Sequence, residues 1–288
     1  MVQEGLAMLH PILSEVVESY KVFLEVKYPM HYKTYCSRLN SNPQGARAEA
    51  IVFSYFRSNF DKVTISEDIS TGGADFLVVS GENKFITEVS CIQTESVATQ
   101  SGMTNDAFES SPGWFGMITH VLRTKVSDKA PQVSGYPTPR VVVITCEHIG
   151  SDILIGPRGA ESLMGSDTKI RVPIGDESPY KVDLVTDLKD SIFFKFDKNG
   201  AVESCRRSIS AVLLVSIFSD KSLVVGILHP DPQYPFSISL LRSVPFLRLR
   251  KWPPENGVLE MEWVIRSPRA FEFGHREITL RDEELKSI

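Results

Sequence analysis

The chain has 288 residues, of which 42% are hydrophobic and 23% are charged. These proportions are close to those of ordinary soluble proteins, so the chain can bury a full core, and collagen-like, low-complexity and coiled-coil sequences are excluded. The 31 basic and 36 acidic residues give a net charge of −5, which excludes a strongly basic, histone-like binder but not a local basic surface.

Sequence signals for a membrane or for secretion are absent from the printed chain. The longest unbroken apolar run, Ala211–Val215, is far below the ~18 residues that suggest a membrane span. No basic segment leads into an apolar stretch at the first residues, so no signal peptide is expected. We therefore expect a cytoplasmic protein with no membrane partner.

Several common catalytic and ligand-binding motifs are also absent. The four cysteines are far apart in the chain, so no CxxC pair can begin a zinc or redox site. HExxH, GxGxxG, GxxxxGK[ST] and GxSxG do not occur. These absences exclude the commonest metalloprotease, nucleotide-binding and hydrolase interpretations.

The first half of the chain predicts helices followed by strands. Apolar residues at helical spacing predict a helix over 12–27, the composition of 40–45 predicts a loop, and a second helix is predicted over 46–59. Three strand-like runs follow, at Val63–Ile69, Ala74–Ser80 and Phe85–Ile92. Residues 93–110 are polar and predict a loop.

The second half begins with another helix. Ser111 as N-cap and Pro112 at the first helical position predict its start, and Pro131 should end it. The β-branched run Arg140–Cys146 predicts a buried strand that suits a parallel sheet. Short strands are predicted at Ser191–Phe196, Ile209–Ser216 and Leu223–Leu228. Alternation in the last 50 residues predicts antiparallel strands and a tail, and the whole pattern is typical of an α/β fold.

The most informative feature is a predicted hairpin that carries two carboxylates. Gly81-Glu82 fits a two-residue type II′ turn, because glycine tolerates the positive φ of its first position. Counting back from this turn pairs Asp75 with Glu88, with their β-carbons ~5 Å apart on one face. Like charges so placed are destabilising, and a bridging divalent cation would explain them. The alternative is that one carboxylate lies at a strand end in solvent.

This hairpin and its surroundings resemble the PD-(D/E)XK, or restriction-endonuclease-like, nuclease superfamily. The pattern of that family is a helix carrying Glu, strands carrying Asp and E-x-K, a helix and a strand. Glu49 in Arg47–Ala50 resembles the helical Glu, Asp75 resembles the Asp, and Glu88-Val89-Ser90 lies where E-x-K belongs. The segments 207–214 and 224–236 are also similar to parts of bacterial members, so the resemblance covers roughly residues 46–236.

The resemblance implies a fold and a division of the chain. It implies a restriction-endonuclease-like mixed central sheet flanked by helices, formed by a nuclease core over 46–236. Residues 1–45 would then be an N-terminal helical prefix, and residues 237–288 a β-rich C-terminal extension. Enzymes of this fold that cut DNA often work as dimers, so a homodimer is also compatible with the sequence.

The resemblance further implies a metal site that contains Mg²⁺ or Mn²⁺. Asp75 and Glu88 would be metal ligands, Glu49 an auxiliary or outer-sphere ligand, and the carbonyl of Val89 a further ligand. The ion would polarise the scissile phosphate and activate a water molecule. An oxygen-rich site of this kind, completed by water, suits Mg²⁺.

The sequence departs from the family pattern at the lysine, because Ser90 occupies that position. Serine can hydrogen-bond a water molecule but cannot place a positive charge beside a phosphate. Lys125 is the best substitute, since it falls near the middle of the apolar stripe of the helix after the hairpin. The alternative is that its amine extends along the helix end into solvent.

Two basic segments are candidates for contact with a phosphate backbone. In 120–140, Arg123, Lys125, Lys129 and Arg140 oppose only Asp128. In 242–276, Arg248, Arg250 and Lys251 belong to a second basic cluster, interleaved with Phe246 and Trp252. The alternative for both clusters is a solvated surface.

Three hypotheses about function follow. The first is a Mg²⁺-dependent nuclease acting on DNA, in defence or repair. The second is a nuclease-like scaffold that lost catalysis at Ser90 and binds nucleic acid or a protein partner. The third is an unrelated α/β protein in which the hairpin pattern is coincidental. Retention of Glu49, Asp75 and Glu88 together favours the first, and Ser90 favours the second.

Overall fold

The computed structural model describes residues 11–105, 115–165, 168–171, 183–186, 191–199, 201–218, 221–254, 259–264 and 277–278. The helices are α1 (Pro11–Lys27), α2 (Pro29–Ser41), α3 (Pro43–Asn59), α4 (Thr94–Ser101), α5 (Phe115–Val133), α6 (Ser151–Leu154) and α7 (Pro157–Gly165), with a 3₁₀ turn at Ile238–Leu241. The strands are β1 (Lys62–Ile65), β2 (Phe76–Ser80), β3 (Asn83–Ile92), β4 (Arg140–Cys146), β5 (Thr168–Arg171), β6 (Asp183–Thr186), β7 (Phe194–Phe196), β8 (Val202–Ser204), β9 (Ala211–Phe218), β10 (Lys221–Leu228), β11 (Phe246–Leu249), β12 (Met261–Val264) and β13 (Glu277–Ile278).

One mixed sheet organises the molecule, with strand order β1-β2-β3-β4-β9-β10-β11-β12-β13. Strand β4 is parallel to both of its neighbours, β3 and β9, and all its residues are buried, as expected for a β-branched strand inside a parallel region. The pairs β5–β6 and β7–β8 form two small separate sheets. The predicted α/β fold with a mixed central sheet flanked by helices is therefore confirmed at this level.

Hydrophobic cores lie on both faces of the sheet. The first core contains side chains of α1, α2 and α3, among them Tyr20 and Phe56. The second contains side chains of α4, α5 and α7, among them Leu122. Because side chains alternate along a strand, Val143 of β4 packs in the first core and Ile144 in the second. The central strands are thus covered on both sides, and the polar site described below lies where β2 begins.

The N-terminal helices differ in part from the sequence prediction. Helix α1 lies where it was predicted, but α2 was not predicted, and the predicted loop over 40–45 is wrong. Only Asn42 separates α2 from α3: its side chain accepts a hydrogen bond from the Gly45 N–H at 3.1 Å, and Pro43 takes the first helical position. Proline and glycine in this segment therefore begin a helix instead of interrupting one.

Two further predictions, for the loop over 93–110 and for the end of the helix that follows it, are wrong. Residues 94–101 of the predicted 93–110 loop form α4, which ends at Gly102 in the left-handed conformation (φ +73°) that glycine favours as a helix cap. Helix α5 continues through Pro131 to Val133, because a proline in the last turn removes only one backbone hydrogen bond. The predicted start at Ser111-Pro112 lies outside the described residues.

The C-terminal half follows the predicted strands closely. Strands β7, β9 and β10 overlap the three short runs that the sequence indicated, and β11 and β12 are antiparallel as expected. Strand β11 pairs in parallel with β10, so the C-terminal strands continue the central sheet. None of the helices within the described ranges is both long and apolar enough to cross a membrane.

Candidate active site

The hairpin β2–β3 has the register that its turn predicts. Ser80 pairs with Asn83, and the ladder continues to the pair Phe76 and Thr87. Gly81 has φ +56°, as the first position of a type II′ turn requires. The observed ladder ends at the pair Phe76 and Thr87, and one further step of the same register would place Asp75 opposite Glu88.

The unequal lengths of the two strands create the site. Strand β2 begins at Phe76, whereas β3 continues past Thr87 to Ile92. The Asp75 side chain lies beside this extension, and its Oδ2 accepts a hydrogen bond from the Val89 N–H at 2.6 Å. The N–H and C=O of a strand residue point to the same side, so the Val89 carbonyl also faces Asp75.

Glu88 is buried and only half satisfied by the chain. Its Oε1 accepts a hydrogen bond from the Lys129 ammonium at 2.7 Å, while its buried Oε2 has no hydrogen-bond partner among the residues that the structure describes. Lys129 reaches Glu88 because α5 packs on the sheet through Val126 and Val133, which lie on the same helical face as Lys129. The helix thus brings a cation to a carboxylate that still has one free oxygen.

Glu49 of α3 is held by residues from two other helices. Its Oε1 accepts a hydrogen bond from the Tyr20 hydroxyl of α1 at 2.7 Å, and its Oε2 forms an ion pair with Arg38 of α2. Both carboxylate oxygens of this α3 residue are therefore engaged by the N-terminal helices.

The three carboxyl groups all have raised pKa values. Burial raises the pKa of Asp75 well above its usual range, followed by repulsion from Glu88 and Glu49, while the Val89 N–H opposes the rise. Burial also raises the pKa of Glu88, against the attraction of Lys129. The pKa of Glu49 rises for the same reason, against Arg38. The carboxylates therefore repel one another in a poorly hydrated place.

A fourth carboxylate, which the sequence analysis missed, contributes to this field. Glu67 lies between β1 and β2, and its repulsion raises the pKa values of Glu49, Asp75 and Glu88. Its backbone carbonyl accepts a hydrogen bond from His31 Nε2 at 3.0 Å. No motif marks this loop, so only the three-dimensional fold identifies Glu67.

A cavity of about 270 Å³ opens at this cluster. Helices α2, α3 and α5 and strand β3 surround it, and its walls include Arg38, Glu49, Asp75, Val89, Ser90, Lys125 and Lys129. The predicted residues of the site thus converge, apart from Glu88, which lies beside the cavity through its contact with Lys129. Both positively and negatively charged side chains therefore line this small cavity.

Two lysines of α5 lie near Ser90. Ser90 lines the cavity, and Lys125 lines it as well, as the helical stripe indicated. Lys129, which the sequence analysis assigned to backbone contact, makes the observed ion pair with Glu88. Its spacing of four residues from Lys125, one helical turn, was a signal that both amines share a face.

Other residues of the site were not predicted at all. Tyr20 and Arg38 belong to helices outside the resemblance, and their contacts with Glu49 span 29 and 11 residues of sequence. A buried tyrosine on an amphipathic helix has no sequence feature that reveals a carboxylate partner.

The basic residues proposed for nucleic-acid contact have different surroundings. Arg123 lies on α5, with Nη2 3.5 Å from His120 Nδ1. Arg248 and Arg250 both form ion pairs with Glu262, at 2.6 and 3.2 Å, and Lys251 is exposed. Contact of these residues with DNA stays a prediction, and the ion pairs neutralise much of the charge of the C-terminal cluster.

The donors at the cluster fit a divalent cation of the Mg²⁺ type. Asp75, the free oxygen of Glu88 and the Val89 carbonyl offer hard oxygen ligands, and water could complete such a site. Within the described ranges, no three His, Cys, Asp or Glu side chains form a group arranged to hold a metal ion. A cation here would therefore be coordinated by two carboxylates, a carbonyl and water, which is a usual ligand set for Mg²⁺.

The chain was compared with protein-family models, curated proteins and solved structures, and none of them matches it.

Proposed function

We propose that this protein is a divalent-metal-dependent nuclease of the restriction-endonuclease-like type that hydrolyses phosphodiester bonds in DNA, in defence or repair. The observation that carries the proposal is the Asp75–Glu88 pair, in which one buried carboxylate oxygen beside Lys129 has no partner in the described part of the chain. A buried, unsatisfied charged atom is costly, and it is expected where a ligand completes the site.

The metal ion would supply Lewis acidity to the phosphate and to a bound water molecule. Asp75, Glu88 and the Val89 carbonyl would hold that ion. Ser90 would orient a water molecule through its hydroxyl. In this scheme the acidic ligands of the family pattern are kept. The positive charge that the lysine of that pattern would supply has to come from another part of the chain.

The positive charge would come from α5 and α2. Lys125 and Lys129 line the cavity, and each ammonium can stabilise negative charge that develops on the phosphate. Arg38 lines the cavity too, and its ion pair with Glu49 holds the guanidinium in place. A planar guanidinium can bind two phosphate oxygens at once, so Glu49 would act as a positioning residue for Arg38.

A binding scaffold without catalysis is the second candidate. Its support is that Lys129 and Arg38 already pair with Glu88 and Glu49, so much of the negative charge is compensated by the chain itself. Under this hypothesis the cavity binds DNA or a protein partner through Arg38 and the two lysines, and no bond is broken.

Plasmid cleavage separates the two candidates. Supercoiled DNA is incubated with the protein and Mg²⁺ or Mn²⁺, with a parallel sample in EDTA. The nuclease hypothesis expects nicking that EDTA stops, that Asp75→Asn abolishes, and that Glu15→Gln on the exposed face of α1 leaves intact. Binding of DNA with no cleavage under either metal would favour the scaffold.

A further inference from the structure

A second concave surface lies at the start of β4, beyond the end of α5. It encloses about 610 Å³, and its lining includes Tyr136, Arg140, Arg207, Gln233 and Tyr234. The sequence analysis counted Arg140 only as part of a basic segment. We call this surface the Arg140 pocket.

Arg140 is a buried cation that has no acidic partner among the described residues. Its side chain is 3% exposed, and it donates hydrogen bonds only to neutral acceptors: the Tyr136 carbonyl at 2.7 Å, the Ser208 carbonyl at 3.1 Å and Gln233 Oε1 at 2.8 Å. Burial lowers the pKa of Arg140, and the charge interaction with Tyr234 opposes this shift. Its Nη2 makes no hydrogen bond within the described part of the chain. A buried charge of this kind favours an anion.

Aromatic and basic groups surround this guanidinium. Its Cζ lies 4.9 Å from the ring centre of Tyr234, and that tyrosine is 37% exposed. Arg207 adds a second guanidinium, which forms a 3.0 Å ion pair with the Asp231 carboxylate and donates a 3.0 Å hydrogen bond to the Asp231 backbone carbonyl. The pocket therefore offers positive charge beside an accessible aromatic face, the two features that bind phosphate and base of an unpaired nucleotide.

The pocket is connected to the carboxylate cavity through short contacts. The Tyr136 hydroxyl accepts a hydrogen bond from the Ala74 N–H at 3.2 Å, and Ala74 directly precedes Asp75. Lys129 donates to Gln132 at 3.0 Å as well as to Glu88, and the chain then runs from Gln132 into the pocket at Ser134. Hydrogen-bonded residues thus connect one site to the other.

From this arrangement we infer that the Arg140 pocket binds one unpaired nucleotide of a DNA strand, with its phosphate on Arg140 and Arg207 and its base against Tyr234. The inference rests on the proposed function, since it assigns the strand that reaches the carboxylate cavity. It deepens that function by making single-stranded DNA, or a strand with a splayed nucleotide, the preferred substrate class.

The test measures binding in EDTA, where a metal-dependent reaction cannot occur. Fluorescence anisotropy follows a labelled single-stranded DNA oligonucleotide at several salt concentrations. Tyr234→Ala should weaken binding about tenfold, the scale of one lost stacking contact, and Tyr234→Phe should restore it. Arg207→Gln should lower the salt slope by about 0.7, as expected for one lost phosphate contact to a single strand.

Arg57→Gln on α3 is the matched control, because this exposed arginine lies outside the pocket and outside both basic segments. It should keep both the affinity and the salt slope. Wild-type affinity and slope in Tyr234→Ala and Arg207→Gln would overturn the inference, and so would adenosine monophosphate binding as tightly as the oligonucleotide. Plasmid cleavage with unaltered oligonucleotide binding in these variants would leave the nuclease proposal standing and refute the pocket alone. If the variants bind the oligonucleotide weakly and the wild type does not cleave the plasmid, the pocket proposal stands and the nuclease proposal is refuted.

Discussion

Glu88 and Glu262 are two buried glutamates on strands of the same sheet, and their surroundings differ. Glu262 on β12 has both oxygens paired, Oε1 with Arg248 at 2.6 Å and Oε2 with Arg250 at 3.2 Å. Glu88 on β3 pairs one oxygen with Lys129, and no residue within the described ranges pairs with its other oxygen. Glu88 is 4% exposed and Glu262 is 8% exposed, so burial alone does not distinguish them.

The two glutamates differ in how many of their carboxylate oxygens are paired by the chain itself. At β12 the chain itself supplies every partner that the carboxylate needs, and a completed network of this kind fixes structure. At β3 a second carboxylate, Asp75, lies where a second cation would be expected. An incomplete network is tolerated when a ligand from solution finishes it. From this comparison we propose that Glu262 stabilises the fold and that Glu88 binds a ligand. Each of the following predictions tests that assignment.

The largest expected effect is on catalysis. Glu88→Gln keeps the shape of the side chain but removes its charge, so it should lower the rate of plasmid cleavage more than the ~10–100-fold usual for outer-shell partners of a metal site. Glu262→Gln should leave the rate per folded molecule unchanged. Equal losses in the two variants would contradict the assignment.

The next effect concerns the source of positive charge. Lys129→Ala and Lys125→Ala should each slow cleavage by ~10²-fold, the scale for one well-placed electrostatic group. Ser90→Lys should restore activity in the Lys125→Ala background, since it rebuilds the family pattern. Single-turnover cleavage of one labelled DNA substrate measures all four proteins. Wild-type rates in both alanine variants would show that α5 does not supply the charge.

The comparison also predicts opposite rankings for stability. Glu262→Gln breaks two charge-assisted contacts and should cost about 3 kcal/mol in the free energy of unfolding, near the lower end for a broken buried pair. Glu88→Gln breaks one contact and relieves repulsion with Asp75, so its cost should be clearly smaller. Urea denaturation of both variants in EDTA gives the two values. A larger loss for Glu88→Gln would reverse the assignment.

The smallest expected effect is stabilisation by metal. An ion that binds only the folded protein raises its stability by about 2.7 kcal/mol at a free concentration 100 times Kd. Mn²⁺ should therefore raise the melting temperature of the wild type and of Glu262→Gln. It should have no such effect on Asp75→Asn. Melting curves with Mn²⁺ and with EDTA make the comparison, and an equal rise in Asp75→Asn would remove the metal site from this cluster.

The sequence predicted the hairpin and its two carboxylates because both depend on local rules. A glycine at the turn fixes the register, and the register places Asp75 opposite Glu88. The parallel strand β4 was recognisable from its β-branched run. Such features need only neighbours within a few residues or a simple periodicity.

The remaining features depend on contacts that no local pattern records. Arg38 and Tyr20 reach Glu49 only because α1 and α2 pack on α3, and Glu67 approaches through a loop. Lys129 and Lys125 are equivalent by periodicity, and only the packing of α5 decides which amine meets Glu88. The error at Pro43 has another cause, since the same residue can begin a helix or interrupt one.

The position of β4 between β3 and β9 has a consequence for synthesis of the chain. Every residue of the carboxylate cavity precedes β9, so the site can be translated while one edge of β4 still lacks its partner, Ala211–Phe218. At about 5–20 residues per second, that edge stays open for several seconds on the ribosome. An apolar edge with free backbone groups attracts other strands. A nascent chain that ends before Ala211 is therefore expected to need a chaperone, whereas the chain that includes β9 closes its own edge.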